Sequence, residues 1–189
     1  MTFGIICAMP EELHALSERL TDRTETVLGG KTYLAGTIEN QAVVLVKSGI
    51  GKVEAGITAE HLITDFKVDV VINSGSAGGI GKGLHVGDVV SATETAYHDV
   101  DVTAFGYEYG QLPAQPARFS ADPTWVERIS EAGKETGLNI KQGLIVTGDQ
   151  FVSSKAMIQQ IKARFNDALS SEMEGAAVGQ VATDHQVPY

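Results

Sequence analysis

A chain of 189 residues, 43 % of them hydrophobic, has room for one domain with a sizeable core. Fourteen Lys and Arg against 24 Asp and Glu leave a net charge of −10, which gives no electrostatic source of affinity for phosphate backbones and argues against a nucleic-acid binder. The single cysteine, Cys7, excludes a disulfide framework and a cysteine-built metal cluster, and no apolar run reaches the roughly 18 residues that a membrane span needs. Residues 1–8 have no basic flank and Glu11 and Glu12 follow them, so no targeting segment is expected and the reading is a cytoplasmic protein.

Residues 3–8 form a continuously apolar run, as in a strand buried on both faces, and Pro10 then suits the first position of a helix marked by Leu13, Leu16 and Leu20. Glu11 and Glu12 therefore stand at a strand-to-helix turn, where open parallel sheets place their ligands; complementing the helix dipole is the other role open to them. Residues 32–38 and 41–46 read as a hairpin turning at Glu39-Asn40. The glycine turn at 48–52 opens a helix over about 52–66, but Glu54 stands where a dinucleotide-binding turn needs its third glycine. Residues 68–73 are a buried strand that runs into Ser74-Gly75-Ser76-Ala77-Gly78-Gly79, a row of small residues that lets a ligand lie against main chain.

Residues 86–96 read as a further strand, followed at 97–113 by a Gly-rich loop whose Phe105, Tyr107 and Tyr109 suggest an interface or a pocket wall. His98, Asp99 and Asp101 are of metal-binding type, but no second cluster joins them and loop hydrogen bonding accounts for them equally. Asp122-Pro123 starts a helix that Gly137 ends; residues 141–146 form a strand, Phe151 is either core or a stacking platform, and Ser153 or Ser154 caps a helix through about Phe165. Residues 168–173 end the strands, and Glu172 and Glu174 flank Met173 before a small-residue helix at 175–184. On extended backbone two glutamates two apart share a face and can address one ligand; on a helix they diverge and become solvated first-turn residues. Residues 187–189 read as the beginning of a strand.

Residues 8–12 (Ala-Met-Pro-Glu-Glu), 47–52 (Lys-Ser-Gly-Ile-Gly-Lys), 73–79, 97–111 and 171–174 (Ser-Glu-Met-Glu), in this order, resemble the 5′-methylthioadenosine/S-adenosylhomocysteine nucleosidases of the purine nucleoside phosphorylase-like superfamily. The resemblance implies an α/β fold, a single domain whose mixed twisted sheet is surrounded by helices, working as a homodimer without metal or organic cofactor. It implies that Glu12 activates the attacking water and that Glu174 binds the ribose hydroxyls and favours a cationic sugar. It places Met9 and Met173 on the ribose, Glu172 among the substrate-binding residues, Phe151 against adenine, the Val152 backbone at the purine edge, and Ser76, Ala77 and Gly78 along the nucleoside. Ile50 would line the pocket for the sulfur substituent, which Val102, Phe105 and Pro113 of the partner subunit would complete.

The chemistry agrees with those roles, because N-glycosidic cleavage builds positive charge on the ribose and negative charge on the leaving base. Related phosphorylases resemble one another in carrying arginine where this chain has Asn73, which favours water over phosphate as nucleophile. The family continues through a further strand into a Ser-Asp motif, whose aspartate protonates the purine, and a closing helix. Residues 1–189 are thus expected to be a nucleosidase domain truncated at its C-terminus. Such a chain should bind better than it turns over, since general acid help contributes about a hundredfold to ten-thousandfold. The alternatives are a phosphorylase, a hydrolase of another adenine nucleoside such as aminofutalosine, and a silent nucleoside-binding module.

Overall fold

The computed structural model describes residues 1–189. The first half of the chain forms β1 (Thr2–Cys7), α1 (Pro10–Glu18), β2 (Thr21–Leu28), β3 (Lys31–Ile38), β4 (Gln41–Lys47), α2 (Lys52–Thr64) and β5 (Val70–Asn73). The second half forms β6 (Gly78–Gly79), β7 (Val89–Tyr97), a 3₁₀ turn (Thr103–Phe105), β8 (Phe119–Ser120), α3 (Pro123–Thr136), β9 (Ile140–Thr147), α4 (Lys155–Arg164), β10 (Ala168–Glu172) and α5 (Gly175–Asp184). The mixed α/β architecture is the expected one, and hydrogen bonding divides its strands into two five-stranded sheets, ordered β2-β3-β4-β1-β5 and β6-β10-β9-β7-β8.

Each sheet has a parallel centre. In the first, β1 pairs with both β4 and β5, with Cys7 opposite Lys47 and Ile6 opposite Asn73. In the second, β9 pairs with both β7 and β10, and Tyr97, Thr147 and Glu172 lie in register. Six strands therefore end at two rows of carboxyl ends, and the turns that leave them carry nearly every residue singled out from the sequence.

The largest core lies between the first sheet and two helices that start beside these ends. Ile6, Val44, Val46 and Val71 from the strands meet Ala55, Ala59 and Leu62 of α2 and Ala177 and Val178 of α5. Alanines on the facing sides of α2 and α5 let the helices approach closely, which brings both helix N-termini to the carboxyl ends of the strands. A second core holds α4 on β9 through Leu144, Val146, Ile161 and Phe165. The cap residues act as their sequence suggests: Pro10 opens α1, the Asp122 carboxylate accepts from the Thr124 and Trp125 amides at 2.9 and 3.3 Å, and Ser154, of the two serines, caps α4.

Three features differ from the sequence reading. Strand β2 was not anticipated, because TDRTETVL has no apolar alternation; it is an almost wholly exposed edge strand held by its pairing with β3. The strand expected from residue 86 begins at Val89, since a His85–Asp88 turn, closed by the Asp88 amide on the His85 carbonyl at 3.1 Å, precedes it. Residues 187–189 extend no strand but wedge between the sheets: the Pro188 carbonyl accepts from the Val71 amide at 2.9 Å, and the Tyr189 hydroxyl donates to the Phe119 carbonyl at 2.7 Å. No helix is long and apolar enough to cross a membrane.

Because Leu62 is fully buried in the larger core, Leu62→Ala should lower folding stability by about 2–5 kcal/mol in urea titrations, whereas Val86→Ala, at a fully exposed position, should change it by no more than about 0.5 kcal/mol.

Candidate active site

The turn after β1 positions Glu12 as the third residue of α1. Its Oε2 accepts from the Ala8 and Met9 amides, each at 3.1 Å, closing the helix start, while Oε1 accepts from the Ser76 amide and hydroxyl, each at 2.8 Å. Capping and site formation are thus two jobs of one carboxylate. All four donors are neutral, so no cation occupies the carboxylate. Gly75 is required here, because a Cβ at that position would lie 2.8 Å from Glu12 Oε2.

Glu174 approaches from the other sheet. It stands at the N-terminus of α5 with only 8 % of its surface exposed, and its Oε1 accepts from the Gly51 amide at 2.7 Å. Gly51 adopts φ +103° to point that amide inward, a conformation that favours glycine. Enclosure raises the proton affinity of Glu174; the Gly51 and Met173 amides oppose the rise, and the nearby charges of Glu12 and Asp149 add to it. Glu12 is thus among the charges that act on Glu174, although the two stand on turns at opposite ends of the sequence.

Glu172 and Glu174 do not share a face. β10 ends at Glu172, and Glu174 has φ −132° and ψ −42°, so strand alternation stops between them. The Glu172 carboxylate turns to protein instead: Thr147 Oγ1 donates to one oxygen, and the Glu174 and Gly175 amides donate to the other at 2.8 and 2.7 Å. Thr147 in turn accepts the Ala176 amide at 2.8 Å, so Thr147 and Glu172 together fix the backbone that carries Glu174. Enclosure pushes the Glu172 carboxyl up to about 7, against the pull of its three donors.

Around the carboxylates, Met9 and Met173 are half-buried, and Ser76, Ala77 and Gly78 are open to solvent along the 74–79 segment. Val152 packs partly on the second core while Phe151 is 81 % exposed and is no part of a core. Ile50 is exposed beside Gly51. Val102, Phe105 and Pro113 lie on the 98–113 loop, where Phe105 is 82 % exposed and belongs to no core cluster of its own chain. Of the metal-type residues of that loop, Asp99 holds Lys52 and Asp101 accepts the Thr103 amide and hydroxyl, while His98 is buried with its Nε2 unpartnered, and burial lowers its proton affinity. Sequence reading missed Lys52, Thr147 and Asp149, of which only the Thr-Gly-Asp run at the end of β9 carries a local hint.

An α/β fold with parallel strand ends, a Gly-Ser segment after β5 and a glutamate from each sheet defines the class, and residues 2–189 match the phosphorylase superfamily. The chain is 47 % identical over 189 residues to the 5′-methylthioadenosine/S-adenosylhomocysteine nucleosidase of Actinobacillus succinogenes, spanning all of this chain and 82 % of that protein. The nucleosidase of S. pneumoniae bound to a transition-state inhibitor superposes with a TM-score of 0.95 at 49 % identity, over 100 % of this chain and 82 % of that one. The Neisseria meningitidis nucleosidase in complex with methylthio-immucillin-A superposes at 0.97 with 44 % identity, over 99 % of this chain and 81 % of that one. The chain belongs to the 5′-methylthioadenosine/S-adenosylhomocysteine nucleosidase family.

The elevated carboxyl of Glu172 has a thermodynamic consequence. Its contribution to stability is complete below pH 4.5, its ordinary value, and is lost as pH rises through about 7, because the folded chain holds the proton more tightly than the unfolded chain does. Urea titrations across that range should show wild-type stability declining with pH, and Glu172→Gln should flatten the slope.

Proposed function

We propose that this chain hydrolyses the N-glycosidic bond of 5′-methylthioadenosine and S-adenosylhomocysteine, releasing adenine and the thio-ribose. The observation that carries the reading is the convergence of Glu12 and Glu174 from opposite sheets, with neutral donors alone on Glu12. Glu12, anchored through both oxygens, positions a water at the anomeric carbon and takes its proton. Glu174, oriented by the Gly51 amide, binds the ribose hydroxyls and, as a carboxylate, stabilises the cationic sugar that develops as the bond breaks. Met9 and Met173 pack on the ribose, Phe151 stacks on adenine, the Val152 backbone reads the purine edge, and Ser76, Ala77 and Gly78 border the nucleoside. Glu172 serves through Glu174, whose backbone it holds.

The same reading makes the working unit a homodimer. Ile50, Val53 and Ile57 form an exposed apolar stripe on and beside α2, at helical spacing, and Phe105 projects from its loop without support. In the dimer Ile50 lines the pocket for the sulfur substituent, and Val102, Phe105 and Pro113 of the partner subunit close it. The names and inhibitors of the relatives support this substrate class.

Adenine release from methylthioadenosine should proceed in phosphate-free buffer at the rate seen with phosphate. Glu12→Gln and Glu174→Gln should each lower kcat/KM by about 10²–10⁴ while circular dichroism stays unchanged. A strict phosphate requirement would make the enzyme a phosphorylase, and calorimetric binding without release would make it a nucleoside-binding module. In sedimentation the chain should be dimeric, and Phe105→Ala should raise KM about tenfold with little change in kcat, the pattern of lost uniform binding.

A further inference from the structure

Three charged residues outside the reacting centre form a closed figure. The Lys52 ammonium donates to Asp99 Oδ1 at 2.9 Å and Oδ2 at 2.8 Å and lies 3.6 Å from Asp149 Oδ2. The Lys52 amide donates to Asp149 Oδ1 at 3.0 Å, and the Asp149 amide donates to Asp99 Oδ2 at 2.9 Å. Each member is thus bonded to both others, twice through backbone. Surface ion pairs contribute little, but Asp99 is only 12 % exposed at its side chain, and two of the bonds fix main chain rather than a mobile tip.

The placement of the three matters more than their pairing. Lys52 begins α2, which packs on the first sheet, and follows the Gly51 whose amide holds Glu174. Asp99 follows β7 and leads into the loop bearing Val102, Phe105 and Pro113, while Asp149 follows β9 and precedes Phe151 and Val152. The figure therefore ties a turn of one sheet to two turns of the other. Each of those turns supplies one wall of the nucleoside site.

We propose that Lys52, Asp99 and Asp149 are positioning residues that lock the ribose, purine and partner-facing turns together and balance the charge around Glu174. The proposal deepens the nucleosidase reading and rests on it for the identity of the walls. Glu174 is faced by Glu12 from α1, by Glu172 from the end of β10 and by Asp149 from the turn after β9, all acidic, and Lys52 is the cation of the cluster that joins Asp149 to the site. Removing the cation leaves two carboxylates uncompensated, whereas removing the Asp149 charge while keeping its acceptor oxygen relieves Glu174. A merely structural cluster would not shift the Glu174 titration in opposite directions for these two changes.

The test follows the Glu174 side-chain carboxyl by carbon-13 NMR titration and the Gly51 amide by hydrogen exchange, in wild type, Lys52→Met, Lys52→Arg, Asp99→Asn and Asp149→Asn. Lys52→Met should move the Glu174 midpoint to higher pH, Asp149→Asn should move it lower, and Lys52→Arg should leave it near wild type. Loss of one supporting hydrogen bond should speed Gly51 exchange about five- to tenfold in Lys52→Met and Asp99→Asn. If Lys52→Met does not fold, the near-isosteric asparagine variants carry both readouts. Midpoints that coincide or move in one direction, with Gly51 exchange unchanged, overturn the proposal. Neither measurement needs turnover: shifts of the expected sign in a chain that releases no adenine would sink the nucleosidase reading alone, and adenine release with unmoved midpoints would sink this one alone.

Discussion

The carboxylate of Glu174, nearly closed off from water, is the constraint on which the rest depends. An enclosed carboxylate is tolerated only where donors reach it, and the principal donor is a backbone amide 123 positions away in the chain. For that amide to point inward, Gly51 must take a positive φ and α2 must begin at the next residue. For Glu174 to meet it, α5 must lie against α2, which the alanines of their shared core allow. The secondary structure, the core and the site are consequences of satisfying one group.

Glu12 solves the complementary problem. It is anchored by four hydrogen bonds, yet every donor is uncharged, so no cation pairs with it. The two glutamates thus differ in surroundings as much as in position. One is shielded and held by backbone amides at the start of α5, and the other is fixed by neutral donors at the start of α1. Burial and hydrogen bonding divide the labour between two identical side chains.

Much of this was legible in the sequence because it is written in local chemistry. Apolar runs marked β1 and β5, Pro10 and Asp122 marked helix starts, and the row of small residues after β5 marked the turn whose Ser76 donates to Glu12. Glu12 and Glu174 were identifiable through their motifs. What escaped was information that exists only across space. β2 has no pattern of its own and is a strand because β3 is there to pair with it. Asp99 looked like a candidate metal ligand because its cation lies 47 positions away, at Lys52. The divergence of Glu172 from Glu174 turns on where one strand ends, the kind of boundary that periodicity locates poorly.

The unpatterned β2 also bears on how copies of the molecule can meet. As the outermost strand of the first sheet it presents the charged Asp22, Arg23 and Glu25 to solvent, the last two paired with each other. A second chain adding itself along that border would have to strip water from those charges, so sheet-to-sheet growth into fibrils is disfavoured. Val27 is the one large apolar side chain that the strand leaves exposed, whereas Ile50, Val53 and Ile57 are exposed together on and beside α2. The strand with the least to say about chemistry thus makes that border of the sheet a poor template for another chain.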